Sequence, residues 1–207
     1  REIVESIVAS KLGVCKRKIG ARNCVVKKIS SEEKSKFLDE NHLQGNDKSS
    51  NAYGLYFEDE LVSVMTFGKR KITGGSSQLE MIRFCTKKFV SVVGGASRLL
   101  KAFLSDNKDT KSIITYADMR YSNGNLYETI GFKKIGVSKP NYWYFGKTTP
   151  QLKRYHRANF QKHRLNRILQ NYDPSRTEQE NMKNNGYNVI WDCGSIIFQL
   201  DVNQNSC

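Results

Sequence analysis

No two of the five cysteines (Cys15, Cys24, Cys85, Cys193 and Cys207) form a Cys-x-x-Cys pair, which argues against a zinc ribbon. Their odd number argues against a disulfide framework and for a reducing compartment. The chain lacks any apolar run near the length of a membrane span, and it lacks a signal peptide. Histidine is scarce: of three copies only His42 lies outside the C-terminal basic stretch. No HNH constellation is present, and no strand is followed by the paired carboxylates and lysine with which nucleases hold a divalent cation. The letters "DENH" (Asp39–His42) fall in a helical pattern without a second ligand set, so no metal site is expected within these 207 residues. The chain opens at Arg1 without methionine and is expected to be a processed product or a piece of something longer.

What the chain has in excess is positive charge. Thirty-four Lys+Arg against 20 Asp+Glu give a formal net charge of +14 and a pI near 9.6. Charge on this scale speaks to partners more than to fold. It is also segregated: no acidic residue stands between Lys147 and Tyr172, while Lys153, Arg154, Arg157, Lys162, His163, Arg164 and Arg167 accumulate there. A helix of that composition can follow a phosphate backbone, releasing counterions at each contact. Tyr155, His156 and Tyr172 would add aromatic surface suited to unpaired bases. The plainer reading is a solvated amphipathic helix packed through Leu152, Ile168 and Leu169. Segregation this complete has no evident stability benefit, which favours DNA as the partner.

Hydrophobic periodicity orders the rest. Ile3, Val4, Ile7, Val8 and Leu12 mark one face of an opening helix that stops at Gly13. "CKRKIGAR" reads as a basic linker, Cys24–Ile29 as a strand, and Ser30 with Glu33 as a capping box opening a helix. Ala52–Phe57 and Leu61–Phe67 form a hairpin about Glu58–Glu60. A loop at Gly74–Ser77 precedes the strand "QLEMIRFCT", whose alternation leaves its register open. Gly94-Gly95 leads into a helix with Leu99, Leu100, Phe103 and Leu104 on one face. "SIITYAD" has the near-continuous apolar character of a strand buried on both sides. "FKKIGV" and "NYWYF" are strands, Thr177 and Glu180 form a second capping box, and Gly186 stops that helix. "YNVIWD" and "SIIFQL" read as a closing β-hairpin. The organisation expected is a helix and linker at 1–20, a domain at 21–146 and a basic tail at 147–207.

Three features carry candidate chemistry. Gly94 and Gly95 remove side chains where N–H groups at a helix start would point at an anion, and the helix dipole adds to the attraction. The same glycines would serve a tight strand–helix connection that needs a positive φ. Tyr127 carries a hydroxyl that keeps its proton to about pH 10, and it either donates that proton or covers the sheet as a half-buried aromatic. Asp118 ends a buried strand, where open α/β sheets place ligands. With Arg83 and Glu80 in the third strand and His42 at a helix end, it could form a base and an anion clamp. Alternatively Asp118 caps the turn at Ser122–Gly124 and His42 caps its own helix.

From Cys24 to Phe145 the order β-α-β-β-β-α-β-α-β-β, with "VVGGAS" opening one helix and "NGNLYETIGF" forming the next, resembles the GNAT acyltransferase superfamily. Asn123, Leu126, Tyr127, Gly131 and Phe132 match its Asn-x-x-Leu-Tyr-x-x-x-Gly-Phe pattern. The resemblance implies an α/β (α+β) fold with a mixed central sheet flanked by helices, here extended by a basic helical C-terminal segment ending in a β-hairpin. It also implies acetyl-CoA as cofactor, held at Val93, Gly94, Gly95, Ala96 and Asn123, with Tyr127 as general acid toward the departing thiolate. The family pattern has Arg or Gln three residues before Gly94, where this chain has Ser91.

A second resemblance runs from Ala21 onward. "ARNC…FLDENHLQG", "GLYFEDELVSVMTFGK", "RFCTKKFVSVVGGASRLLKAF" and "RYHRANFQKHRL…ENMKNNGYNVIWDCGS" are similar to a module that follows the nuclease domain of phage-encoded homing endonucleases. It implies a DNA-binding, targeting portion acting in the cytoplasm of a phage-infected bacterium, with a nuclease domain and its divalent metal upstream of Arg1. More loosely the core resembles phage Mom-type proteins, GNAT-like enzymes that modify adenine in DNA. There His42, Arg83 and Asp118 would be the positions of interest. The expected function is DNA targeting. The alternative is an acetyl-CoA-dependent N-acyltransferase, with a DNA base among its candidate acceptors.

Overall fold

Helix α1 (Glu2–Lys11) begins on Glu2 and Glu5 and ends on Lys11, charges that complement the helix dipole, and buries none of its residues. A computed structural model of the chain describes residues 1–71, 77–146 and 154–202. They fall into two compact units. One comprises Arg1–Tyr116, Gly124–Ile135 and the chain from Ile197; the other comprises Ala117–Asn123 and Gly136–Ile196.

In the first unit the expected basic linker contains a strand, β1 (Arg17–Gly20), paired in parallel with Val90–Val93. Only Ile19 of its four residues is buried, so its sequence shows no strand periodicity and the partner defines it. Strand β2 (Val25–Lys28) leads to α2 (Ser31–Asn41), where the Ser30 hydroxyl accepts from the Glu33 N–H at 3.1 Å. The return half of that capping box is missing, because the Glu33 carboxylate accepts from the Tyr56 hydroxyl.

Strands β3 (Asn51–Phe57) and β4 (Glu60–Lys71) form the expected hairpin, turned through Glu58 and Asp59 at φ 50° and 63°. Then follow β5 (Ser77–Thr86), β6 (Val90–Val93), α3 (Gly95–Asp106), β7 (Ser112–Asp118), the short α4 (Asn125–Thr129) and β8 (Lys133–Val137). The predicted loop residues Gly74–Ser76 lie outside the described residues.

The central sheet runs β2-β3-β4-β5-β7, then a late strand β12 (Ser195–Asp201), then β8. It is antiparallel from β2 to β5 and parallel between β5 and β7. Alternation along β4 decides which helix covers which face. Val64 packs with Cys85 and with Phe37 and Leu38 of α2. Phe67, on the opposite side, stacks on Phe103 of α3 at 3.6 Å between ring centroids. The outcome is the expected mixed α/β architecture, a mostly antiparallel sheet with helices on both faces, with one strand more than the expected element order, β6 before α3.

The second unit is built on β9 (Tyr142–Gly146), flanked by β10 (Tyr155–His156) and β11 (Tyr187–Trp191), both antiparallel to it. Its core joins Tyr142 and Tyr144 to Phe160, to Leu165 and Leu169 in and after α5 (Lys162–Ile168), and to Met182 of α6 (Glu178–Asn184). Thr177 and Glu180 make the complete capping box expected of them.

Two expectations for this region are corrected. The basic segment is not one helix: β10, a 3-10 turn (Arg157–Phe160) and the seven-residue α5 divide it, with Gln161 extended between them. That break lets both Phe160 and Leu165 reach the core, while Ile168, expected to pack, is 45% exposed. Nor do the last two strands form a hairpin. β11 pairs with β9, and β12 lies between β7 and β8. A Cys-Gly turn between two apolar runs is a local signal, and long-range pairing overrides it.

Candidate functional site

The site begins with an irregularity in β5. Opposite β4 the register runs Thr66↔Arg83 and then Phe67↔Met81, so Ile82 is an extra residue in a β-bulge. A bulge bends its strand and re-aims the adjoining side chain. Past it, β5 and β7 share the single register pair Glu80↔Ile114. Arg83, beside the bulge, donates from Nη1 to the Ile82 carbonyl at 3.0 Å. Its Nε is buried and has no hydrogen-bond partner among the described residues.

Around Arg83 stand His42, Asp47, Glu80 and Tyr127, each coupled to its charge. His42 closes α2 as its C-cap residue, and its Nδ1 accepts the Gln44 N–H at 3.1 Å. Burial first, then the Arg83 charge, push the imidazole down to about 4 against the pull of Asp47. At neutral pH the ring is therefore uncharged, and with Nδ1 accepting, its proton is on Nε2. Asp47 is committed elsewhere. Lys34 Nζ pairs with Oδ1 at 3.2 Å, the Ser49 N–H reaches Oδ1 at 2.8 Å, and the Thr66 hydroxyl reaches Oδ2 at 2.5 Å. Burial acts to raise this carboxyl, but those hydrogen bonds outweigh it and hold it below the usual range. Glu80 is displaced upward by burial against Arg70 and Arg83.

Tyr127 lies in α4, its ring 5.3 Å from that of Phe198 and 6.2 Å from that of Phe132. Burial raises its pKa, with the Thr115 hydroxyl and Arg83 acting against the rise. The Thr115 hydroxyl itself donates to the Met81 carbonyl at 2.9 Å, so Tyr127 is tied to β5 and β7 together. α4 begins after Gly124 at φ 88°, where a Cβ would stand 2.2 Å from Phe198 Cζ. This turn requires glycine both for its backbone angle and for the ring beside it.

The Gly94-Gly95 connection has the backbone conformation of a tight strand–helix turn. Gly94 is left-handed at φ 78°, as a tight strand–helix turn needs, and it offers α3 no side-chain cap. A Cβ on Gly95 would meet Val92 at 3.1 Å and Leu55 at 3.3 Å, so the helix starts close against the sheet. Ala96 is buried and Val93 exposed. The first N–H groups of this twelve-residue helix thus have no side chain serving them.

The remaining predicted residues belong to the second unit. Asp118 is in an ion pair: Arg120 donates to it from its backbone N–H at 3.0 Å and from Nη2 at 2.6 Å. Burial would raise this carboxyl, and the Arg120 hydrogen bonds lower it overall. Its side chain thus serves Arg120, while its backbone carbonyl accepts the Tyr121 and Ser122 N–H groups. Asn123 is exposed, immediately before Gly124 in sequence. Arg154, Arg157, Lys162, His163, Arg164 and Arg167 are all exposed, and none enters an ion pair among the described residues. Arg157 lies over the Tyr142 ring at 5.3 Å. Lys153 lies outside the described residues. Of the aromatics expected to serve bases, Tyr155 and Tyr172 pack against the unit's own core, and His156 accepts the Ala158 N–H.

Asp47, Lys34, Thr66 and Thr115 were not anticipated from sequence. Lys34 and Asp47 meet across a loop with no motif to announce it, and Thr115 reads as one more residue of an apolar strand. Among the described residues no group of three or more His, Cys, Asp or Glu is placed to hold a metal ion, and no helix is long and apolar enough to cross a membrane.

No family model matches the chain, and no curated protein matches it in sequence. Solved structures do. An acetyltransferase from Bacillus subtilis in complex with CoA is 16% identical, with a TM-score of 0.45 over 87% of this chain and 99% of that one. Ard1 from Thermoplasma volcanium is 10% identical, with a TM-score of 0.48 over 87% and 99%. The ribosomal-protein-S18-alanine N-acetyltransferase from Escherichia coli is 8% identical, with a TM-score of 0.47 over 89% and 99%.

Proposed function

We propose that the chain is an N-acyltransferase of the GNAT type that uses acetyl-CoA. The observation that carries this reading is the start of α3: a twelve-residue helix with no side-chain cap among the described residues, entered through left-handed Gly94, with Gly95 packed so closely that a Cβ would crowd Val92 and Leu55. Such a terminus presents backbone N–H groups to an anion, and the helix dipole favours negative charge there. Gly94, Gly95 and Ala96 would hold the diphosphate of the cofactor, which supplies an acyl group as a thioester when bound. Tyr127 keeps its proton at Oη through neutral pH because burial raises its pKa, the state a general acid needs. Thr115 and the Phe198 ring orient it.

Thermal denaturation with acetyl-CoA tests the reading. Saturation a hundredfold above Kd stabilises the folded chain by about 2.7 kcal/mol, and Gly95→Arg should abolish the response. No shift in the unaltered chain at saturating acetyl-CoA overturns it.

A second reading is favoured by one separate observation, the exposed cations from Arg154 to Arg167, none of which enters an ion pair among the described residues. On it the chain is the DNA-binding, targeting portion of a phage homing endonuclease in an infected bacterium's cytoplasm, its nuclease and divalent metal supplied by a domain before Arg1. The two readings coincide if the acyl acceptor is a DNA base. Salt-dependent affinity for duplex DNA supports the second, and affinity absent at low salt sinks it.

A further inference from the structure

We infer that the Nε–Nη2 edge of Arg83 is a recognition site for a carboxylate carried by one of the reactants; this rests on the acyltransferase reading for its place in a reaction, but not for its chemistry. Buried side-chain donors are almost always satisfied, so an orphan among them calls for a ligand or another explanation. Arg83 Nη1 is used by the Ile82 carbonyl, whereas Nε has nothing and Nη2 has no hydrogen bond among the described residues. The bulge at Ile82 sets this geometry, since it places Arg83 opposite Thr66 with its own neighbour's carbonyl fixing one nitrogen. What remains is the side-on edge of a guanidinium, two parallel donors in one plane.

Asp47 and Glu80 act on Arg83 through their charges, but among the described residues neither forms an ion pair with it. Asp47 has both oxygens occupied by Lys34, Ser49 and Thr66. Glu80 feels Arg83 and Arg70 but pairs with neither among the described residues. His42, neutral and accepting at Nδ1, contributes a further N–H donor at Nε2 rather than an acceptor. Lys34 and Asp47 cancel one another, and Glu80 is shared by Arg70 and Arg83, so these ionised groups together leave one positive charge. A planar monoanion that takes two parallel N–H groups fits this edge. A phosphate dianion would bring excess negative charge beside Asp47 and Glu80. Arg83 and the Tyr127 hydroxyl also influence one another electrostatically, which relates this edge to the proposed general acid. The group would come either from the α-carboxylate of an amino-acid acceptor or from the distal carboxylate of a dicarboxylic acyl group.

Titration of the whole ¹⁵N-labelled chain with acetate, a planar monoanion, at constant ionic strength and neutral pH, tests the site without any cofactor. The readout is the Arg83 Nε–H resonance, assigned by its loss in R83K or, should that variant not fold, by through-bond assignment. The expected result is saturable movement with acetate, none with chloride, and at least tenfold weaker response to phosphate. No saturable movement, or tighter binding of phosphate than of acetate, overturns the proposal.

Turnover then separates the sources. With acetyl-CoA and glutamate, or with succinyl-CoA and an amine lacking a carboxylate, R83Q should raise KM at least tenfold for the carboxylate-bearing reactant alone. Equal KM for that reactant in R83Q and the unaltered chain overturns the assignment. If acetyl-CoA fails to stabilise the chain, the acyltransferase reading falls while the acetate titration still decides the Arg83 site.

Discussion

Lys34 and Asp47 pair at 3.2 Å with each side chain only 3% exposed. Lys34 Nζ also donates to the Asp47 carbonyl at 2.8 Å and the Ser49 hydroxyl at 3.1 Å, so all three of its protons are used. Through Thr66 the pair fastens the segment after α2 onto β4, and it takes Asp47 away from Arg83. Desolvation offsets much of the attraction in a buried pair, so its main effect is to fix geometry.

Removing one member alone should be severe. Lys34→Met leaves the Asp47 carboxylate buried without its cation, at a cost of about 3–5 kcal/mol. Adding Asp47→Asn should recover part of that loss, since the uncompensated charge disappears. Urea denaturation of both single variants and the double variant measures the coupling, and strictly additive losses would contradict the pairing.

His42 makes stability depend on pH in a known direction. Its folded value of about 4 lies below the ordinary histidine value of 6.5, so between those limits the unfolded chain binds a proton that the folded chain refuses. Stability is complete above pH 6.5 and falls as pH drops toward 4, by about 3 kcal/mol at 1.36 kcal/mol per unit. His42→Gln should flatten that part of the curve relative to the unaltered chain. Parallel curves for the two proteins between pH 4 and 6.5 would rule the account out.

Gly124 and Gly136 form a matched test of backbone constraint. An alanine at Gly124 meets both a φ of 88° and the Phe198 ring at 2.2 Å. Left-handed strain and overpacking together should cost about 2–4 kcal/mol. At Gly136 an added Cβ finds nothing within 4 Å, and Gly136→Ala should stay within about 0.5 kcal/mol. Melting temperatures of the two variants decide the matter.

Tyr127→Phe keeps the ring against Phe198 and Phe132 and loses only the hydroxyl. On the acyltransferase reading, turnover falls by about 10²–10⁴-fold, the usual loss of a general acid, with acetyl-CoA affinity unchanged. Unaltered turnover would leave Tyr127 a packing residue.

On the DNA-binding reading, Arg157→Ala and Arg164→Ala each reduce the slope of log affinity against log salt by about 1. Arg157 also covers the Tyr142 ring, so its loss should lower melting temperature slightly while that of exposed Arg164 should not. Identical salt slopes for all three proteins would place DNA contact elsewhere.

Local signals read from the sequence hold where the physics is local. The Ser30 and Thr177 caps, the Glu58–Asp59 hairpin turn and the left-handed glycines at 94, 124 and 186 all stand where spacing put them. Each needs only neighbouring atoms: a hydroxyl three residues from an N–H, or a backbone angle that a Cβ would strain. β1, β10 and the separation of β11 from β12 were illegible, since a strand with few buried residues exists only through its partner.

For the candidate site the division follows the same line. Sequence alone singled out Arg83, His42, Tyr127 and the paired glycines, because a scarce histidine, a motif tyrosine, a charge within a strand and glycine positions show in one dimension. It could not reveal that Asp47 would be consumed by Lys34, that Asp118 would hold Arg120, or that Arg83 Nε would remain without a partner. Those outcomes depend on which charges the bulge, the loop and the sheet bring together, and desolvation acts only once the chain has folded around them. The sequence therefore determined the caps, the turns, most of the central strands and helices, and the chemically able residues. Tertiary structure decided which of them still have bonding capacity to offer a ligand.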